Sequence, residues 1–332
     1  MPKNPTSPLV ECVVNVSEGR NVGVIEAFAQ AIRGVPGCYL LHQDVGADAH
    51  RTVLTFAGPP AAVLRAAETV YAVADERLDL RGHRGEHPRS GAVDVCPFVP
   101  IAGVDVEALK EAVRAFAARI AERYDLPVYL YADSATAPHR ANLAALRRGE
   151  FERLAERLAS ARWRPDFGPQ APHPRLGATV IGVRPFLIAW NINLSEEATL
   201  PEAQELAARL RGSGGGGRAG LFPGLKAIGW CLAEYHRCQI SCNVVDPERT
   251  DLARVYLTAA SLAAERGVRV TGSELIGLIP ARYLRAAAKQ FCWSEDEGER
   301  METAVLVLGL DELGPFDWRE RVLEEVYRSV VG

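Results

Sequence analysis

The chain reads as an α/β (α+β) protein built from two ferredoxin-like β-α-β-β-α-β subdomains. Three observations predict this. Short apolar runs with strand character alternate with longer runs of helical period, and the same order of runs occurs twice. The corresponding first strands, opening at Leu9 and at Phe186, start about 177 residues apart. The repeat is one of pattern rather than of residues.

In the first half, Leu9 to Val16 is an apolar run that ends in Ser-Glu-Gly at 17–19. A helical pattern follows from Asn21 to Arg33 and stops near Gly34 and Pro36. Cys38 to Asp44 and Arg51 to Phe56 read as strands parted by a small polar loop. Pro59 and Pro60 admit a long Ala-rich helix over 61–77, and Val93 to Ile101 is another strand. An extra helix at 105–123 and a strand at Val128 to Tyr131 follow. A Pro-rich, weakly periodic stretch over 161–177 leads to the second half. There the strand Phe186 to Leu194, a helix at 200–211, and strands Leu225 to Leu232 and Gln239 to Val245 repeat the order. A helix at 251–266 and a strand from Val268 to Leu275 complete it. Each unit buries one sheet face under helices and must cover the other. Packing the two free faces together, with ligand at the junction, is the economical expectation.

Composition narrows the function classes. Of 332 residues 48% are apolar and 24% charged, enough for two buried cores. A net charge of −4 argues against a general nucleic-acid surface or a polybasic membrane footprint. No run of 18 apolar residues suggests a membrane-spanning helix, and the polar start lacks a secretory core, so a cytoplasmic protein is expected. Seven scattered cysteines suit reduced thiols. The basic residues are 4 Lys against 34 Arg, and the Arg fork suits carboxylates, although codon bias produces the same skew.

The densest chemistry lies in Arg81 to Phe98, RGHRGEHPRSGAVDVCPF, too polar and broken for a core element and so a loop feeding a strand. His83-Arg-Gly-Glu86-His87 fits the inverted zinc-protease pattern H-x-x-E-H, which needs both histidines on one helix face. Gly85 between them and Pro88 directly after disfavour that helix, and no third ligand follows at suitable spacing, so no metal is expected. Gly212 to Gly217 formally satisfies G-x-G-x-x-G, but it follows a helix instead of a strand and reads as a loop closing that helix. Cys238 and Cys242, with Cys231 nearby, bracket a period-2 apolar stretch and read as buried thiols. Asp44 ends an apolar strand, where it either orients a partner histidine or accepts turn hydrogen bonds ahead of Gly46.

Taken together, the chain resembles the formiminotransferase (glutamate formimidoyltransferase) family, transferase part only. The matching stretches are VECVVNVSEGR at 10–20, the Asp44 strand with RTVLTF, GEHPRSGAVDVCPFVPI at 85–101 and DLPVYLYADSA at 125–135. They continue with WRPDFGP at 163–169, FLIAWNINL at 186–194, GLKAIGWCL at 224–232 and TGSELIGLIP at 271–280. The resemblance implies an N-terminal transferase subdomain over 1–183 and a C-terminal one over 184–332, their sheets facing each other across a folate tunnel. It implies transfer of a formimino group from N-formimino-L-glutamate to N5 of tetrahydrofolate, a cosubstrate, with a transferase using N-formyl-glutamate or a related donor as the alternative and a zinc hydrolase on HRGEH as a weaker one.

The catalytic His of GEHPR is His87 here, and the assisting Asp before the RTV segment is Asp44. The folate segment aligns with Gly168, Pro169, Gln170, Ala171, Pro172, His173, Pro174, Arg175, Leu176 and Gly177. Arg51 and Arg89 are the expected clamps for substrate carboxylates. A homodimer is implied, with the product passing to a separate cyclodeaminase. The chain departs from the family at Val14 and Val16, where Pro and Phe are usual, and at His50, where Asn is familiar. Ser90 stands where Met is common, and Arg175-Leu176 replaces a Ser-Trp-like pair.

Overall fold

The computed structural model describes residues 8–233 and 235–331. The chain divides into two compact units, Met1–Arg184 and Pro185–Gly332. It is an α/β protein with one mixed sheet of six strands and one antiparallel sheet of four.

The first unit runs β1 (Leu9–Val16), α1 (Val22–Arg33), β2 (Tyr39–Gly46), β3 (Arg51–Gly58), α2 (Pro60–Arg77) and β4 (Val93–Ala102). It continues with α3 (Val106–Tyr124), β5 (Val128–Leu130), α4 (Leu143–Arg147), α5 (Leu154–Leu158) and β6 (Thr179–Val183). The strands lie in the order β2-β3-β1-β4-β6-β5, antiparallel up to β4, with β6 parallel to both β4 and β5. Alternation sorts the side chains. Val10, Cys12, Val14 and Val16 of β1 share one face with Leu54 and Phe56 of β3 and with Cys96 and Phe98 of β4. These join Phe28, Ile32, Val63, Val70, Val113 and Phe116 from α1, α2 and α3 in one core. Asn21 starts α1 by accepting from the Val24 N–H, and Asp105 starts α3 by accepting from Glu107 and Ala108. On the opposite face, α4 and α5 bring Leu146, Leu154 and Leu158 onto Val95, Tyr129 and Val180, leaving the β2–β3–β1 end of that face to polar residues.

The second unit runs β7 (Ile188–Leu194), α6 (Leu200–Leu210), β8 (Leu225–Leu232), β9 (Arg237–Val244), α7 (Leu252–Ala264) and β10 (Val270–Ile276). The helices α8 (Ala281–Ala288), α9 (Glu297–Leu308) and α10 (Leu323–Val331) follow, and the sheet order is β10-β7-β9-β8. Trp190, Ile192, Ile240 and Cys242 pack beneath Leu206, Val255, Leu284 and Met301. No helix among the described residues is long and apolar enough to cross a membrane.

Expected and observed bounds agree to within about two residues for most elements, the usual uncertainty of helix and strand ends. Three features depart from expectation. Thr179–Val183, to which the sequence pattern assigns no strand, forms β6 between β4 and β5. All five of its residues are buried, so it shows no polar alternation to betray it. The helices α8 to α10 were not anticipated. The cysteines are corrected in one place: Cys231 and Cys238 form a disulfide, because the β8–β9 register sets them directly opposite each other. Cys12, Cys38, Cys96 and Cys242 are free and buried.

Gly91, just before β4, has no room for a side chain: a Cβ there would meet the Ala178 carbonyl oxygen at 2.0 Å. Gly91→Ala is expected to lower stability by about 1–3 kcal/mol, the usual penalty for overpacking. Urea unfolding of the purified variant against the native chain measures it, and an unchanged midpoint would contradict the packing described.

Candidate active site

Three loops of the first unit meet at one end of its sheet. The turn after β1 carries Glu18, the β2–β3 turn carries His50 with Arg51 directly after it at the start of β3, and the segment before β4 carries His83, His87 and Arg89. Gly19 allows the first two to touch, since a Cβ would sit 2.3 Å from the Gly46 carbonyl oxygen. The Glu86 N–H donates to the Asp48 carbonyl at 3.0 Å and draws the third loop onto the second. Residues 83–90 form no helix. His83 and His87 therefore do not make the i,i+4 pair of a metalloprotease, and no group of three or more His, Cys, Asp or Glu residues placed to hold a metal occurs among the described residues.

His87 is partly buried, and its Nε2 lies 2.6 Å from a guanidinium nitrogen of Arg51. An arginine can only donate, so Nε2 carries the lone pair. The imidazole proton then sits on Nδ1, towards the Pro88 carbonyl. Burial, followed by the charges of Arg51 and Arg147 and by His83, pushes the His87 pKa well below its ordinary value. The ring is neutral at neutral pH, with its basic nitrogen facing a cation.

Asp44 and Arg51 share the polar face. Asp44 pairs with Val53 and Gly46 with Arg51 in the β2–β3 ladder, which makes Asp44 and Arg51 diagonal neighbours on one side of the sheet. Asp44 Oδ2 lies 3.4 Å from Nε2 of His42. Arg89 is turned inward and nearly inaccessible. It donates to Glu152 at 2.6 and 2.8 Å, to Glu150 at 3.1 Å and to Nδ1 of His83 at 3.1 Å. Expected to clamp substrate, it instead bolts the His87 loop to residues 150–152. Arg147 of α4 pairs with the buried Asp94, whose other oxygen accepts the Ser90 N–H at 2.8 Å.

The segment 168–177 lies beside the same loop. Gly177 bridges Gly91, the Ala92 N–H donates to the Leu176 carbonyl at 2.9 Å, and Ala178 donates to Ser90 at 3.0 Å. Gly168 and Gly177 have φ of +81° and +72°, and a Cβ on either would strike a carbonyl at 2.2 Å. Between them His173 folds the segment on itself, its Nδ1 accepting from Leu176 at 2.9 Å. Gln170 donates to the Leu158 carbonyl at 2.9 Å. Pro169, Ala171, Pro172 and Pro174 are exposed or partly so. Arg175 reaches away to Asp75 and the Leu78 carbonyl at the end of α2, and Leu176 joins the core. Sequence reading missed Glu18, Glu150, Glu152, Asp94 and Arg147. The only signal for Glu18 was its place in NVSEGR and for Asp94 its place in GAVDVCPF; Glu150, Glu152 and Arg147 carried none.

A carboxylate, an imidazole and a guanidinium gather here at strand ends of an α/β scaffold, groups able to bind anions and to move protons. Residues 9–184 match the formiminotransferase domain, N-terminal subdomain, and residues 189–328 the formiminotransferase domain. The chain belongs to the formiminotransferase family, as its motifs suggested. It is 45% identical over 324 residues to a formimidoyltransferase-cyclodeaminase of Rattus norvegicus, covering 96% of this chain and 60% of that protein. It is 40% identical over 288 residues to a glutamate formimidoyltransferase of Streptococcus pyogenes serotype M1, covering 87% and 94%, and 36% identical to one of Thermoplasma acidophilum, covering 89% and 96%.

His83 gives the site a pH signature. Burial first, with help from the charges of His50 and Arg89, pushes its pKa down to about 4 from an ordinary 6.5. Between those values the unfolded chain binds the proton and the folded one does not, so stability is full above about pH 6.5 and declines as pH falls towards 4. His83→Gln keeps a donor and an acceptor without titrating. Urea midpoints measured from pH 7 to 4 are expected to fall less steeply in this variant, and parallel slopes would contradict the assignment.

Proposed function

We propose that the chain transfers the formimino group of N-formimino-L-glutamate to N5 of tetrahydrofolate and releases glutamate. The observation that carries this reading is the neutral His87, its lone pair held beside Arg51, within a chain that belongs end to end to the formiminotransferase family. N5 attacks the amidine carbon, and His87 Nε2 takes the proton that N5 loses. The tetrahedral intermediate then collapses as His87 returns that proton to the departing glutamate nitrogen. One proton shuttles, the new C–N bond replaces the old one, and no redox partner is required. Holding both reactants on one surface removes much of the entropic barrier.

For Nε2 to accept a proton, Arg51 must leave it. A glutamate carboxylate offers the guanidinium a bidentate partner and so both binds the donor and frees the base. Asp44, on the same sheet face as Arg51, supplies the negative charge that steadies the imidazolium. The segment from Gly168 to Gly177, which lies against the His87 loop, takes the folate through the exposed part of its surface. Assembly as a homodimer and passage of the product to a cyclodeaminase activity belong to the same proposal.

Purified protein given tetrahydrofolate and formiminoglutamate is expected to form a product that acid converts to methenyl-tetrahydrofolate. N-formyl-glutamate in its place should give none. His87→Ala should lower kcat by about 10²–10⁴-fold while folate binding persists. Unchanged turnover in that variant would remove His87 from the chemistry. Arg51→Ala should raise the KM for formiminoglutamate by roughly 10–100-fold, as expected for a lost charge-assisted pair. A KM effect confined to folate would reassign Arg51.

A further inference from the structure

His50 occupies a position where a side chain is unwelcome. Its φ is +48°, in the left-handed region, and it directly precedes Arg51. Such a conformation in a residue other than glycine persists only where its surroundings fix it. Here four contacts do so. The ring Nδ1 donates to the Arg84 carbonyl at 2.9 Å, and Nε2 pairs with the Glu18 carboxylate at 3.2 Å. The His50 carbonyl lies 2.8 Å from Nε2 of His83, and the two imidazoles stack at 4.1 Å with planes 10° apart.

Each contact is itself anchored. Arg89 donates to Nδ1 of His83, so His83 carries its proton on Nε2 and must donate to His50. Burial raises the Glu18 pKa, but the N–H groups of Asn21 and Arg20 together with His50 outweigh it and hold Glu18 low, as a carboxylate. Gly85 packs so closely that a Cβ would fall 2.6 Å from that of His50. His50 thus joins the end of β1 to the loop bearing His87 and sets the backbone from which Arg51 departs.

We propose that His50 is a positioning residue for the reaction, which by spanning Glu18 and the Arg84 carbonyl in a left-handed backbone holds Arg51 beside His87, in place to take the donor carboxylate. This rests on the reading of His87 as the base of formimino transfer. An Asn at this place would be too short to reach both partners. Asn does tolerate the left-handed region, so it can keep the backbone and one of the two ties.

The test compares His50→Gly and His50→Asn with the native chain. Glycine keeps the backbone accessible and removes both ties. The expected result for His50→Gly is a KM for formiminoglutamate raised by about 10-fold, as Arg51 loses its place for the donor carboxylate, with the KM for tetrahydrofolate within about 2-fold of native. His50→Asn should recover part of that loss. In ¹⁵N-histidine spectra at pH 7, His87 should be the Nδ1–H tautomer in the native chain and a mixture of tautomers in His50→Gly. A native-like KM for formiminoglutamate and an unchanged His87 tautomer in folded His50→Gly would overturn the proposal. If His50→Gly does not fold, the same two readings on His50→Asn decide, since it loses one tie. Should the native chain show no formimino transfer, the functional reading fails, and the His87 tautomer alone still decides whether His50 positions Arg51.

Discussion

The contact between Arg51 and His87 governs the chemistry available to the first unit. A guanidinium keeps its proton at any pH a protein tolerates, so one hydrogen bond at 2.6 Å assigns the imidazole lone pair, its tautomer and its neutral state together. The remaining architecture holds the two side chains at that separation. Arg51 opens β3, whose register against β1 and β2 is fixed by a buried apolar face. His87 sits on an irregular loop that no ladder restrains. The loop is located instead by Arg89 on residues 150–152, by Glu86 on the β2–β3 turn and by the close approach of Gly85 to Ala49 and His50.

The arginine excess gains a different meaning from this arrangement. Read from composition, it suggested clamps for substrate carboxylates. In the structure many arginines bind carboxylates and carbonyls of the protein itself. Arg89 holds Glu150 and Glu152, Arg147 holds Asp94, Arg140 holds Asp166, and Arg175 takes Asp75 with the last carbonyls of α2. A buried cation stripped of such partners costs several kcal/mol, and each pair ties together segments distant in sequence. Substitution by lysine would keep the charge but lose the fork that grips two acceptors at once.

Legibility followed periodicity. β1, α1, α2 and α3 were visible because one face of each is more apolar than the other, with capping or proline signals at the helix starts, and β4 because its apolar run is ten residues long. β6 was not, because a strand buried on both faces loses the alternation, and its Gly-Ala approach resembled a connector. His87 and Asp44 were legible through motif and strand end. The groups around them were not, since Glu18, Glu152 and Arg147 lie about 60–70 residues from His87 in sequence and are brought to its surroundings only by the tertiary fold. The Cys231–Cys238 bridge depended on register, which spacing alone does not specify.

A base whose lone pair faces a cation, and whose pKa burial and two arginines depress, is idle at rest. That is a liability for catalysis unless the substrate itself removes the inhibition. An anion that pairs with Arg51 does so twice over. It withdraws the donor from Nε2, and it cancels one of the positive charges that disfavour the imidazolium. The proposed donor, with its glutamate carboxylates, is such an anion, and a neutral amidine lacking them is not. Discrimination between the two would then appear in kcat as well as in KM, because binding energy at the carboxylate is converted into basicity at the reacting nitrogen. On the proposed mechanism an imidazole so poorly basic beside Arg51 would gain proton affinity only in the complex that uses it.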